Sequence, residues 1–193
     1  MSEETLNNNF QNKIKLFLNK NLKNLIFLSI FSVLILFGYF FYKDLQSKKE
    51  VQLSEDYTQA FVQFNQKKND EAKQLLEKII NKNHKFYSPL ALYFIIDNNL
   101  ETDSLKIINF FDKILLINSI DKENLNLIKI KKAMFLFKLG SEEDIIKILN
   151  PIVNSDSAWR NMAIKLISDY FISKNQVTKA NEYILLLNSK NNK

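Results

Sequence analysis

No cysteine occurs in this chain of 193 residues. That absence excludes disulfides, thiolate catalysis, cysteine metal sites and anchoring through an acylated cysteine, while leaving the redox compartment open. Glycine and proline number two each, too few for a hairpin-rich β architecture or for flexible linkers. A phosphate-cradling loop needs several glycines close together, and none are adjacent here. Histidine is represented by His84 alone, in the polar, lysine-flanked stretch Asn81 to Lys85, where it reads as a solvated loop residue. A metal site needs a cluster of ligands at set spacing, and a Ser–His nucleophile needs a histidine placed beside it. Acidic neighbours such as Glu142, Glu143 and Asp144 follow Ser141, where they complement a helix N-terminus better than they make a pair of catalytic carboxylates. No catalytic, cofactor-binding or metal-ligating residue is therefore assigned. The chain is not expected to be an enzyme or to take a small-molecule substrate.

Arginine is nearly missing too. Arg160 is the single one, so the formal charge of +6 is carried by lysine. Residues 1–24 hold +2 of it, from Lys13, Lys15, Lys20 and Lys23 against Glu3 and Glu4, and the remainder is spread along the chain. Bidentate reading of bases and phosphates is mainly arginine work, so no nucleic-acid partner is expected. The wealth of Lys, Asn, Ile and Phe fits a genome-wide bias instead.

What the chain does have is one long apolar run. Residues 25–42 contain no charge, amide or proline, and thirteen of these eighteen positions are Leu, Ile, Phe or Val. As a helix the run is about 27 Å long, close to the thickness of a bilayer's hydrocarbon core. A buried core helix normally keeps a polar stripe, and this run has none. A cleaved signal peptide has a shorter apolar region and ends at small residues, whereas this one ends in Tyr39, Phe40, Phe41, Tyr42 and Lys43. Tyr39, Tyr42 and Lys43 read as the interfacial anchor of an uncleaved transmembrane segment. Before it, residues 1–12 are polar and Asn-rich and are expected to be disordered. Phe10, Ile14, Phe17, Leu18 and Leu22 then form an amphipathic stretch suited to a lipid surface. The leader's four lysines against Lys43, Lys48 and Lys49 lean towards a cytoplasmic N-terminus.

From residue 43 onward the pattern is helical. Leu53, Tyr57, Ala60, Phe61 and Phe64 share a face, on a helix that can continue from the span. Gln66 to Asn69 turns, and Ala72, Leu75, Leu76, Ile79 and Ile80 repeat at helical spacing behind a cap at Asn69 or Asp70. Pro89 suits a first turn, with a helix over Leu90 to Ile96. Ile107, Phe110, Phe111, Ile114 and Leu115 mark the next. Asp121 caps a fifth helix reaching Leu139, with Gly140 as its C′ residue; Ser141 caps a sixth, limited by Pro151. Trp159, Met162, Ala163, Leu166, Ile167, Tyr170 and Phe171 make the seventh stripe. After a turn at Lys174 to Gln176, Val177, Ala180, Ile184 and Leu187 make the eighth.

Eight helices in four hairpins, with turns near Asn69, Asn99, Gly140 and Asn175, bracket the 34-residue tetratricopeptide period. Small residues twelve apart flank the first turn (Ala60, Ala72) and the last (Ser168, Ala180), where two helix axes must approach. The middle hairpins break that spacing, since Ala91 is followed by Asp103 and Ser104, and Ala133 by Ile145. The fold class expected is all-α: a transmembrane helix followed by a tetratricopeptide-like solenoid of about four helix hairpins, against the alternative of a plain helical bundle. The domains expected are a leader over 1–24, the span over 25–42 and the repeat domain over 43–193.

This layout resembles the ancillary subunit of the bacterial Sec translocon. The local resemblance runs from Asp156 through Ser157, Ala158, Trp159, Arg160, Asn161, Met162 and Ala163 to the last hairpin, Lys174 to Leu187; the chain departs from the family in having few alanines and glycines. These are packing motifs without catalytic content. The resemblance implies a single-pass inner-membrane protein with a cytoplasmic N-terminus and a periplasmic domain. Its implied partners are translocon subunits, periplasmic chaperones and exported polypeptides, with lipid contact through residues 25–42 and no cofactor. An adaptor for envelope assembly or cell division shares every feature of the sequence. Trp159 and Arg160 read either as core and solvent-facing neighbours or as an aromatic-plus-cation partner contact. Phe86, Tyr87 and Tyr93 carry the same two readings.

Overall fold

The computed structural model describes residues 3–137 and 139–188. Among them lie eight α-helices and no strand: α1 (Glu3–Asn65), α2 (Asn69–Ile80), α3 (Tyr87–Asp97), α4 (Ser104–Leu115), α5 (Lys122–Leu136), α6 (Glu142–Val153), α7 (Arg160–Ser173) and α8 (Val177–Asn188). The chain divides into two units, Met1–Gln52 and Leu53–Lys193.

In the first unit the apolar run is helical and has nothing packed on it. Every residue from Ile26 to Gln52 is exposed, and Gly38 has no neighbour within 4 Å of where a Cβ would stand. An all-apolar helix with no protein around it is long and apolar enough to cross a membrane. The expectation of disorder over 1–12 is corrected from Glu3 onward, because α1 includes these residues; Met1 and Ser2 lie outside the described residues. The stretch contains no proline or glycine, and adding residues to a formed helix costs far less than nucleating one.

The second unit starts at Leu53, the first buried residue after the apolar run. The last turns of α1 join α2 as the first hairpin, followed by α3/α4, α5/α6 and α7/α8, each helix packing on the next from α2 onward and α5 also touching α7. One core cluster runs from Leu53 and Ala60 through Leu76, Ile79, Leu92, Ile95, Phe111 and Ile114 to Ile128. The next runs from Ile130 through Ile145, Leu149, Ile152, Ile164, Ile167 and Phe171 to Ala180. Helix α5 feeds both, so no hairpin closes its core alone, as stacked repeats require. The small-residue pairs sit where expected: Ala60, Ala72 and Ala180 are fully buried and Ser168 nearly so.

Besides Asn83 (φ 52) before His84, three residues with left-handed backbone each end a turn: Lys67 (φ 63), Asn99 (φ 51) and Asn175 (φ 59). At each of these three, the next N–H reaches back five residues: Lys68 to Gln63 (3.0 Å), Leu100 to Ile95 (2.9 Å) and Gln176 to Phe171 (2.8 Å). These are Schellman closures. Asparagine tolerates this conformation; lysine does so at a cost.

Four local expectations are corrected. Neither Asn69 nor Asp70 caps α2, because the tight turn makes Lys68 the N-cap residue, with no side-chain cap bond. Helix α5 ends at Leu136 and not at Leu139. Gly140 does not adopt a left-handed backbone; a Cβ there would crowd Leu136, lying 3.0 Å from its Cβ and 3.1 Å from its carbonyl oxygen. Pro151 lies inside α6 and does not limit it, because the N–H of Asn154 still closes on the carbonyl of Asn150 at 3.0 Å. Asp121 and Ser141 cap α5 and α6 as expected, Ser141 in a capping box with Asp144.

Candidate functional site

Two grooves lie between the first helices of successive hairpins. In the groove between α3 and α5, Phe86, Pro89, Leu90 and Tyr93 line one wall; Asn124, Leu127 and Ile128 line the other. Ser119, Ile120 and Asp121 of the α4–α5 connection close one end, and the groove has a volume of about 450 Å³. It exists because Pro89 and Leu90 start α3 along the side where Asp121 starts α5. Phe86 is 60% exposed at the rim. The Tyr93 hydroxyl is buried with no hydrogen-bond partner, and burial pushes its pKa up to about 12. The ammonium of Lys131 lies 5.0 Å from the Tyr93 ring centroid, within cation–π range.

The second groove, of about 550 Å³, lies between α5 and α7. It is lined by Met134, Phe135, Phe137, Leu139, Leu166 and Asp169, with Ser104 from the start of α4. Met134 is 54% and Leu139 57% exposed. A flexible thioether beside large apolar side chains adapts to varied surfaces. None of these groove residues except Leu166 stood out in the periodicity, because an exposed apolar residue off the core stripe reads as noise until a neighbouring helix makes it a wall.

Of the aromatic residues singled out, Phe86 and Tyr93 meet in the first groove. Tyr87 does not join them: it turns towards α1, with its ring 6.4 Å from that of Tyr57 and 5.3 Å from the His84 imidazole. Trp159 is half-buried against the second core cluster. The guanidinium of Arg160 donates from Nε to the carbonyl of Val153 (2.9 Å) and from Nη2 to that of Leu186 (3.1 Å). Ser157, in the same segment, donates to Glu123 Oε2 (2.7 Å) and accepts from Asn126 Nδ2 (3.0 Å). The motif from Asp156 to Ala163 thus fastens α5, α6, α7 and α8 together; Glu123 and Asn126 gave no signal in the sequence. In the apolar run Tyr39 and Tyr42 are 58% and 67% exposed, and Lys43 is exposed. His84 lies in the α2–α3 connection as expected but is half-buried, and its ring nitrogen serves the start of α3. Among the described residues no group of three or more His, Asp or Glu is placed to hold a metal ion.

A family model for the tetratricopeptide repeat-like domain matches residues 15–183. The chain belongs to that family. It is also similar to the ancillary SecYEG translocon subunit of Buchnera aphidicola subsp. Schizaphis graminum (strain Sg), with 27% identity over 175 residues, covering 88% of this chain and 84% of the relative. No solved structure matches it. A tetratricopeptide-like scaffold and a relative of that name point to a non-catalytic protein with protein partners, and the apolar helix fits a single-pass membrane protein.

Proposed function

We propose that this protein is a membrane-anchored interaction scaffold that associates with the Sec translocon and periplasmic chaperones and assists the folding or trafficking of exported polypeptides. The observation that carries the reading is the pairing, in one chain, of an uncovered apolar helix with a repeat domain whose successive first helices frame two apolar grooves. The relative's name supplies the translocon. Residues 1–24 form the cytoplasmic leader and 25–42 the span, with Tyr39, Tyr42 and Lys43 at the membrane interface. Residues 43–193 form the periplasmic repeat domain. Tethering near a channel raises the local concentration of a weak binder, so modest affinity for emerging chains suffices. Phe86 and Tyr93 contact partners in the first groove, with Tyr87 beside it and Trp159 and Arg160 at the corner before α7.

Crosslinking in intact cells from a photoreactive residue at Phe86 tests this directly. Adducts with translocon subunits, chaperones or exported chains are expected; adducts with none of them, or a mid-cell ring by fluorescence, overturn the assignment. Orientation is read separately. In a chain without cysteine, Thr178→Cys on the exposed side of α8 reacts with a membrane-impermeant thiol reagent added outside the inner membrane if the domain is periplasmic, and stays unlabelled if it is not.

A further inference from the structure

His84 stands where α3 begins and is the chain's single histidine. Its Nδ1 accepts from the backbone N–H of Phe86 and from that of Tyr87, both at 3.2 Å. The N-cap residue, Phe86, offers no side-chain cap, so the imidazole satisfies two donors that a helix start otherwise leaves open. Just beyond, the N–H of His84 donates to Ser88 Oγ (2.9 Å), whose hydroxyl donates to the carbonyl of Ile79 (3.0 Å). That second tie does not depend on the ring.

We propose that His84 is a proton-operated cap: protonation of its imidazole releases the segment from His84 to Tyr87 and remodels the groove that Lys85 and Phe86 border. Only an unprotonated Nδ1 can accept a hydrogen bond. A proton there sets donor against donor and places positive charge at the positive end of the α3 dipole. Histidine is the side-chain type whose charge ordinarily changes between about pH 5 and 8. The ionisable groups on its own segment are Lys82, Lys85 and Tyr87, whose ring lies 5.3 Å from the imidazole and packs on Tyr57 of α1; Asp56, the neighbour of Tyr57 in sequence, pairs with Lys78 of α2 at 3.2 Å. Because Ser88 stays tied to Ile79, the release is local and α3 persists. The switch deepens the reading of this groove as a binding surface, yet it is detected in backbone amides and not in partner capture, so either can fail without the other.

The test uses the full chain in lipid nanodiscs. With labelled histidine, the imidazole gives a single set of NMR signals that reports its protonation, while amide exchange, corrected for intrinsic rates, is followed residue by residue. Across the His84 titration, protection of the Phe86 and Tyr87 amides is expected to fall about tenfold, the scale of one or two lost hydrogen bonds, with Leu92 to Ile96 unchanged. His84→Asn, whose Oδ1 can replace Nδ1 without titrating, keeps protection constant with pH; His84→Ala shows low protection at every pH. Constant wild-type protection while the imidazole titrates, a ring that does not titrate in this range, or a pH-dependent loss persisting in His84→Asn overturns the proposal.

Discussion

Arg160 and Leu186 are joined across the last hairpin, the guanidinium Nη2 donating to the Leu186 carbonyl oxygen at 3.1 Å while Nε holds the carbonyl of Val153 at 2.9 Å. Both acceptors lie in the last turns of their helices, where carbonyls lack intrahelical donors and a cation is favoured. One planar fork therefore closes the ends of α6 and α8 from the start of α7. Arg160→Lys keeps the charge but cannot span both carbonyls. It is expected to cost about 1–2 kcal/mol, seen as a lower urea midpoint for the full chain in detergent, with crosslinking from Phe86 unaffected. Unchanged stability would show that the fork does not hold the hairpin.

Ala180 is fully buried, with its carbonyl 3.3 Å from Ser168 Oγ, so the axes of α7 and α8 approach there with no room for a larger side chain. Ala180→Leu should destabilise by about 1–3 kcal/mol through overpacking. Val177→Ala, at a position 58% exposed on the same helix, should stay within about 0.5 kcal/mol. Comparing the two denaturation curves separates contact geometry from helix propensity.

Lys67 holds a left-handed backbone (φ 63) that a Cβ disfavours. Lys67→Gly should stabilise the chain by about 0.5–1 kcal/mol, raising the denaturation midpoint. Asn99→Gly should gain less, because asparagine already tolerates the conformation.

Glu101 sits between α3 and α4 with its side chain 7% exposed, 2.8 Å from the ammonium of Lys73 and 3.1 Å from that of Lys106. Lys73 first, and then the N–H of Asp103, hold its carboxyl at a pKa of about 2, below the usual 4.5. A carboxylate held low when folded contributes stability above its unfolded pKa, and that contribution disappears as pH falls from about 4.5 towards 2. Glu101→Gln should flatten this part of the stability profile, measured by urea midpoints across the acid range, while leaving its slope near neutrality unchanged.

Leu34 lies near the middle of the apolar run and is 63% exposed. An arginine at the centre of a spanning helix costs about 2.5–3.5 kcal/mol on insertion scales. Leu34→Arg is expected to shift chain from the membrane fraction to the soluble or degraded fraction, read by carbonate extraction and immunoblotting. Leu34→Phe should not.

The eight helices, the long apolar one among them, and the four hairpins were legible in the sequence because each rests on local chemistry. Periodic Ile, Leu and Phe define a buried face, Asp121 and Ser141 supply caps, and an uninterrupted apolar run leaves a helix no polar side to show water. Boundaries decided by a turn's backbone were less legible. Gly140 looked like a left-handed cap, and only the position of Leu136 shows what a Cβ there would crowd.

The site was legible only in fragments. Phe86 and Tyr93 could be named, but not that they line one groove with Leu127 of another hairpin. Nothing around Trp159 and Arg160 revealed a fork reaching 26 residues ahead to Leu186. What the sequence by itself determined was the set of helices and the apolar faces they had to hide, since those follow from spacing along one chain. Which exposed residues became groove walls, and which polar residues became ties between repeats, was decided only when the hairpins stacked, because both depend on side chains distant in sequence coming within a few ångströms.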